Sequence, residues 1–430
     1  MTRPASPRSS RSAKRPLGVA AGCWFALVTL LMPAGCVDPY EPGIVSSVNV
    51  LVVDGTINNL DEPQLVRISR TVTLSGSSAT QPVPGAQAEV VADAREVYPL
   101  AETQPGVYQL PAHFRGEPGR SYQLRFRLGD GSQYESTPQV MPVPVPITSV
   151  YAQFNANSLP ALLSTDYSRG HDLFLAAQDP PGERNFYRWE WVQYERQDWC
   201  RSCAGGLYTI NNVIFELNNG SETFRSGGEP FEDCYVPPAG TQAQRSLARA
   251  TYDYFCRTTC WEIRYSSGLN LFDDALTDGG LIQGREVAQI PFYQPRGCLV
   301  VVRQLALTAE AYRFYRLVED QTKKTGGLAD TPPAPLVGNV SNTGNTAELV
   351  VGFFGAAGVS TVRYWLDRRD AEGESWGLFE ALYGRSPVEE PGLAQGGPPL
   401  RIIGDLNRPP TAICKPGFNR TPLKPEGWQD

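Results

Sequence analysis

The chain has 430 residues, of which 41 are glycine and 37 proline, and charged residues make up only 19%. Abundant turn formers beside many β-branched and aromatic residues exclude a helical bundle and predict turn-rich β-structure. The formal charge of −7, from 45 acidic and 38 basic residues, excludes the basic face that nucleic-acid phosphates require.

The chain opens with Arg3, Arg8, Arg11, Lys14 and Arg15, has no acidic residue among them, and then runs uncharged from Leu17 to Met32. A basic segment followed by an apolar one is the pattern of a secretory signal peptide. The run is shorter than the ~20 residues of a comfortable bilayer span, and Pro33, Gly35 and Pro39 break any helix that would extend it. Leu31-Met32-Pro33-Ala34-Gly35-Cys36 resembles a bacterial lipobox, with Pro33 standing where an aliphatic residue is usual. The resemblance implies cleavage before Cys36 and acylation of its thiol. Cys23 also follows Ala21-Gly22, but most of the apolar run comes after it, so Cys36 is the candidate. Residues 1–35 then form the leader and 36–44 a tether, and loss of the leader makes the remaining chain more acidic.

The remainder is too long for one core, so two domains are expected. Val48 to Val53, closed by Asp54-Gly55, and Leu65 to Leu74 read as strands. Further strands follow the turn at Pro84-Gly85 and begin at Gly106-Val107-Tyr108. From Tyr122 to Leu128, Leu124, Phe126 and Leu128 share one face, with Gln123, Arg125 and Arg127 on the other. Gly129-Asp130-Gly131 supplies the turn. Together these predict a small Ig-like β-sandwich over residues 45–141. Pro142-Val143-Pro144-Val145-Pro146 predicts an extended linker, beyond which a larger β-rich domain, 147–430, carries one prominent α-helix.

In that second region the densest aromatic stretch is Phe186 to Tyr194. On a strand, Tyr187, Trp189 and Trp191 point one way. Such a row could stack on sugar rings, but filling of a sheet interface is the favoured reading. Thr308 to about Lys324 predicts the helix, with Thr308 as N-cap, Glu310 in the first turn, an apolar stripe of Ala311, Phe314, Tyr315 and Val318, and a stop at Gly326-Gly327. Leu349 to Phe354 and Val359 to Leu366 return to strand pattern, and the tail from Pro387 is rich in Gly and Pro.

Seven cysteines follow the lipid site: Cys200, Cys203, Cys234, Cys256, Cys260, Cys298 and Cys414. In an exported chain they read first as disulfides. The alternative is a zinc site from Cys200, Cys203, Cys256 and Cys260; the oxidising setting favours bridges, and no metal or other cofactor is expected. Seven is odd, so one thiol at least stays unpaired, and Cys414 is the most remote. The two histidines, His113 and His171, stand apart from any nucleophile motif, so triad and histidine-zinc chemistry lack support. Asp273-Asp274 and Glu389-Glu390 read as solvated loop acids, and Asp274 to Gly279 lacks the alternating ligands of a calcium loop.

The stretch Pro84 to Val91, then Gly106-Val107-Tyr108, then the Asp130-Gly131 turn resemble a carboxypeptidase regulatory-like sandwich module. More of the chain resembles the Bacteroidota lipoproteins grouped as domain of unknown function 4249. Val50 to Gly55, Cys260-Trp261-Glu262-Ile263, Leu307 to Tyr315, Pro332 to Val340 and Val351-Gly352-Phe353-Phe354 carry that likeness in order and spacing. In that family the end tends to hold a cysteine pair and a Pro-x-x-Trp close. Here Cys414 and Pro425 to Trp428 fit, while Thr411 stands at the partner position, a departure that accounts for an odd count. The resemblance implies an outer-membrane, surface-facing lipoprotein associated with TonB-dependent transporters, and it carries over no catalytic residue. The leading expectation is a non-enzymatic accessory or ligand-binding lipoprotein beside such a β-barrel. The alternatives are a carbohydrate-binding adhesin using Tyr187, Trp189 and Trp191, and a carboxylate-dependent glycosidase.

Overall fold

The computed structural model describes residues 49–74, 77–159, 167–210, 213–218, 221–226, 232–275, 279–323, 336–391 and 411–430. The leader, Cys36 and the tether lie outside the described residues. The fold is mainly β, with three helices among the described residues.

The alternation read from Tyr122 onward holds. In Ser121–Arg127, Tyr122, Leu124 and Phe126 are buried while Arg125 and Arg127 are exposed. This strand lies between Gln87–Ala92 and Gln133–Ser136 in a six-stranded sheet. The inner residues Val90, Leu124, Phe126 and Tyr134 of that sheet share a core with Leu51, Val53, Val66 and Ile68 of a second sheet. Two sheets meeting through alternate positions make a sandwich.

The second sheet continues far beyond the sandwich. It has eleven strands, in which Val50–Asn58 is antiparallel to Leu65–Leu74 on one side and parallel to Val350–Leu366 on the other. Cys298–Leu307, Phe186–Arg196 and Trp261–Tyr265 then follow in order. The 17-residue strand Val350–Leu366 serves three cores. Val350, Phe354 and Ala356 face the first sandwich, Phe353, Ala357 and Val359 face the helix, and Leu366 faces a second sandwich. Gly352 has φ +99, and a Cβ there would stand 2.0 Å from the Val53 carbonyl oxygen. Only glycine fits that approach.

The second sandwich is closed by the three-stranded sheet of Ile147–Asn155, Gly170–Gln178 and Leu281–Pro291. Its Leu173, Leu175 and Ile290 pack with Tyr187, Trp189, Val300 and Val302 of the long sheet. The opposite face of the same strands is covered by the helix Ala309–Thr322, where Phe186, Leu305 and Leu307 meet Ala311, Tyr312 and Phe314. Burial from both sides explains the nearly continuous apolar run of Cys298–Leu307.

That helix forms where the sequence predicts it. Thr308 Oγ1 accepts the Ala311 N–H at 3.1 Å, and Glu310 sits in the first turn, where the helix dipole favours an acid. Thr308 Oγ1 also donates to Gln139 Oε1 at 2.7 Å, and Gln139 Nε2 donates to Glu310 at 2.6 Å, which ties the helix start to the first sandwich. The expected stop at Gly326-Gly327 lies outside the described residues.

The expectation of an independent domain ending at a linker is corrected. Val48 to Asp430 form one compact unit, and the first core takes in Val340, Val350, Phe354 and Ala356 from far downstream. The stretch 142–146 is packed rather than free: Val145 is buried in the second core, and its carbonyl accepts from Gln304 Nε2 at 2.8 Å. Alternating prolines do keep a backbone extended, but they say nothing of what lies against it.

Candidate ligand cleft and disulfide cluster

Strand Phe186–Arg196 places Tyr187, Trp189 and Trp191 on one face, as period two requires. The three-stranded sheet covers that face, and the three rings fare differently. Tyr187 is fully buried and its hydroxyl donates to Asp179 Oδ1 at 2.6 Å. Trp189 is 1% exposed, with Nε1 donating to Gln304 Oε1 at 2.9 Å. These two rings are core, in line with the favoured sheet-interface reading, and only the platform alternative loses them. Trp191 is half-buried, and it lines a cleft of about 720 Å³.

The cleft lies where the second sandwich opens between Trp261–Tyr265 of the long sheet and the edge strand Leu281–Pro291. Tyr265 and Trp376 add aromatic surface to Trp191, with the buried Tyr293 behind them. Glu319, at the far end of the helix, accepts from Arg316 Nη1 and Lys323 Nζ, each at 2.7 Å, and so pairs with two of the cleft's cations. Arg285 lies over the Trp189 ring, 5.2 Å from its centroid, and over Phe272 at 5.7 Å. Its Nη2 donates to Asn270 Oδ1 at 2.5 Å and to the Leu271 carbonyl at 3.3 Å. Burial pulls the Arg285 guanidinium below its ordinary pKa, and burial pushes the neighbouring Glu286 carboxyl above its own.

Arg264 pairs in register with Gln193, which puts it on the face of Trp191. Its side chain is half-buried and makes no hydrogen bond or ion pair with the described residues. Neither arginine was singled out by sequence. Each sits within an otherwise strand-like run, and such a cation reads as the solvated face unless the partner sheet is known to end there. No histidine or cysteine is among the described residues that line the cleft.

The other titratable candidates are scattered. His113 is exposed and sits 3.3 Å from Asp61. His171 is buried, with Nε2 3.0 Å from Asp370, and burial holds it below the ordinary histidine range. The acids Asp273-Asp274 are not solvated as expected: Asp273 pairs with Arg184, and Asp274 is buried close to Asp179. Burial, and after it the carboxyl of Asp179, raises Asp274 above the ordinary carboxylate range. The turn that would complete a calcium loop, 276–278, lies outside the described residues. Glu390 accepts from the Tyr254 hydroxyl at 2.9 Å.

Six of the seven cysteines form a compact cluster with Tyr208, Tyr254 and Ala412. Three disulfides run Cys200–Cys256, Cys203–Cys234 and Cys260–Cys414, with Cα separations of 4.7, 5.4 and 5.4 Å. Cys414 is therefore not the odd thiol. Strand Thr411–Ala412 pairs parallel to Thr251–Cys256 and carries Cys414 to Cys260, so distance along the chain misled. The free cysteine is Cys298, wholly buried in the second core. Its apolar surroundings in the sequence, Cys298 to Val302, were the available signal. Burial pushes its thiol up to about 12, which leaves it unreactive. The proposed zinc set is not assembled, because Cys203 is bonded to Cys234 while Cys200, Cys256 and Cys260 divide between the other two bridges.

The family model described as Domain of unknown function (DUF4249) matches residues 37–363, well over half of the chain. The chain belongs to this family. The match takes in both sandwiches, the helix and the cleft strands, and ends within Val350–Leu366, so the Cys260–Cys414 bridge joins a residue inside it to one beyond. No curated protein and no solved structure matches the chain.

Proposed function

We propose that this protein is a non-enzymatic lipoprotein of the Bacteroidota outer membrane, held by acylated Cys36 and binding a ligand as the accessory partner of a TonB-dependent β-barrel transporter. The observation that carries the reading is the cleft beside Trp191. Its volume of about 720 Å³ suits a small ligand or a piece of a larger one. Aromatic walls with two arginines that touch no carboxylate, and no general base beside a nucleophile, suit recognition without turnover. The leader pattern and the lipobox-like Leu31 to Cys36 support the anchor, and the family resemblance supports the setting. No helix among the described residues is long and apolar enough to cross a membrane; the attachment in this reading is the lipid.

The test is fractionation of cells fed a labelled fatty acid. The wild-type chain should carry label and sediment with outer membranes, and Cys36→Ser should lose the label and either keep its leader or leave the membrane. A correctly cleaved Cys36→Ser chain that sediments like wild type would contradict the anchor.

A further inference from the structure

We infer that the cleft beside Trp191 takes an acidic oligosaccharide, with sugar rings against the tryptophan and a uronate carboxylate on Arg264 and Arg285. This rests on the reading of that cleft as a ligand site and adds the chemistry of the ligand. Three observations carry it.

The first is charge. Four cations and two acids line the cleft. Glu319 occupies Arg316 and Lys323. Arg285 is held by an amide and a carbonyl oxygen rather than by a carboxylate, and its Nε is buried without an acceptor. The Arg264 side chain has no hydrogen bond or ion pair with the described residues, and the carboxylate of Glu262 interacts with it only through space. Glu286 is the remaining acid, next in sequence to Arg285 and interacting with it through space without a hydrogen bond. Two half-buried guanidinium groups that hydrogen-bond to no carboxylate among the described residues, with the neighbouring acids acting on them only through space, carry a solvation cost that an incoming anion recovers, and a planar carboxylate fits the guanidinium fork.

The second is surface. Trp191 and Tyr265 present aromatic surface, backed by the buried Tyr293 and by Trp376, which stacks on Tyr167, while Ser266, Ser267 and Gln289 offer hydroxyl and amide groups between them. Ring faces pack on the C–H faces of sugars, and interleaved polar groups satisfy hydroxyls. The third is the state of the neighbouring edge. Leu281–Pro291 is an edge strand, and an acidic peptide adding to it is the rival ligand. That edge is poorly shaped for strand addition: its pairing with Gly170–Gln178 shifts register twice, Gly284 has φ +65, and the Glu286 carbonyl accepts from Asn270 Nδ2 at 2.9 Å.

Titration calorimetry on the mature chain with short oligogalacturonate, oligoalginate and oligohyaluronate, each beside a methyl-esterified or carboxyl-reduced counterpart, tests this. At least one acidic form should bind, quench tryptophan fluorescence, and weaken as salt rises. Its neutral counterpart should bind about tenfold or more weakly, and Arg264→Gln should lose about the same factor, the scale of one charged hydrogen bond. Arg264 makes no bond that the fold depends on, so the variant should keep its melting temperature; Trp191→Phe provides a second variant that retains a ring. Equal binding of neutral and acidic forms would overturn the carboxylate and leave a sugar cleft. Binding of an extended acidic peptide in preference to every saccharide would overturn the ligand class. If none of the acidic saccharides binds, the inference falls, while the transporter partnership, judged by capture from membranes, stands or falls separately.

Discussion

Asp274 shows what a single buried acid does to the molecule. In the unfolded chain it ionises near the ordinary value of about 3.9, whereas burial and then Asp179 hold its folded pKa higher. Its contribution to stability is therefore fully present below the unfolded value and is lost as pH rises through the folded one, because in that window the unfolded state has shed a proton that the native state keeps. Urea unfolding across mildly acidic to neutral pH should show this fall, and Asp274→Asn should flatten it; an unchanged pH slope in the variant would contradict the assignment. The sequence displayed Asp274 beside Asp273 in a Gly-rich segment, the usual appearance of a solvated pair. Nothing local distinguishes the acid that pairs with Arg184 from the one that turns inward. Trp189 was similarly ambiguous, since strand periodicity assigns a face but not what covers it.

At the scale of elements, helices and strands with their own periodicity were readable, and pairings between distant elements were not. The helix Ala309–Thr322 announces itself through Thr308, Glu310 and an apolar stripe, all local. The Cys260–Cys414 bridge closes a loop with a sequence separation of 154 and depends on the two-residue strand Thr411–Ala412 finding Thr251–Cys256. No pattern in so short a strand reveals its partner. Thiol counting tests the assignment on a chain that starts after Cys36. The native protein should show no reactive thiol, denaturant alone should expose one, Cys298, and reduction should release all seven. Each bridge contributes on the order of 2–4 kcal/mol, so reduction should also lower the melting temperature. Two or more free thiols in the unreduced denatured chain, or one bound zinc per chain, would contradict it.

Over the whole molecule, the class of fold was legible and its division was not. Turn-rich composition and alternating strands pointed to β-sandwiches, and two sandwich cores are present. The prolines at 142–146 suggested independence between them, but Val350–Leu366 is common to both cores, and only a parallel pairing between the two ends of the chain makes it so. A fragment of residues 45–141 should therefore fail to unfold cooperatively. It leaves Val50–Asn58 as a bare edge and removes Val340, Val350, Phe354 and Ala356 from its core. A sharp, reversible transition in that fragment would show that the shared strand is dispensable.

The functional claim concerns a partner, so the direct measurement is capture of that partner in place. Intact cells that carry the protein natively should be crosslinked, their outer membranes purified, and the wild-type and Cys36→Ser chains captured side by side and identified by mass spectrometry. A TonB-dependent β-barrel should be crosslinked to the wild-type chain, at close to stoichiometric yield, and absent from the Cys36→Ser capture. Recovery of the wild-type chain from the outer membrane without any such barrel, or recovery of the same partners when the anchor is gone, would contradict the partnership.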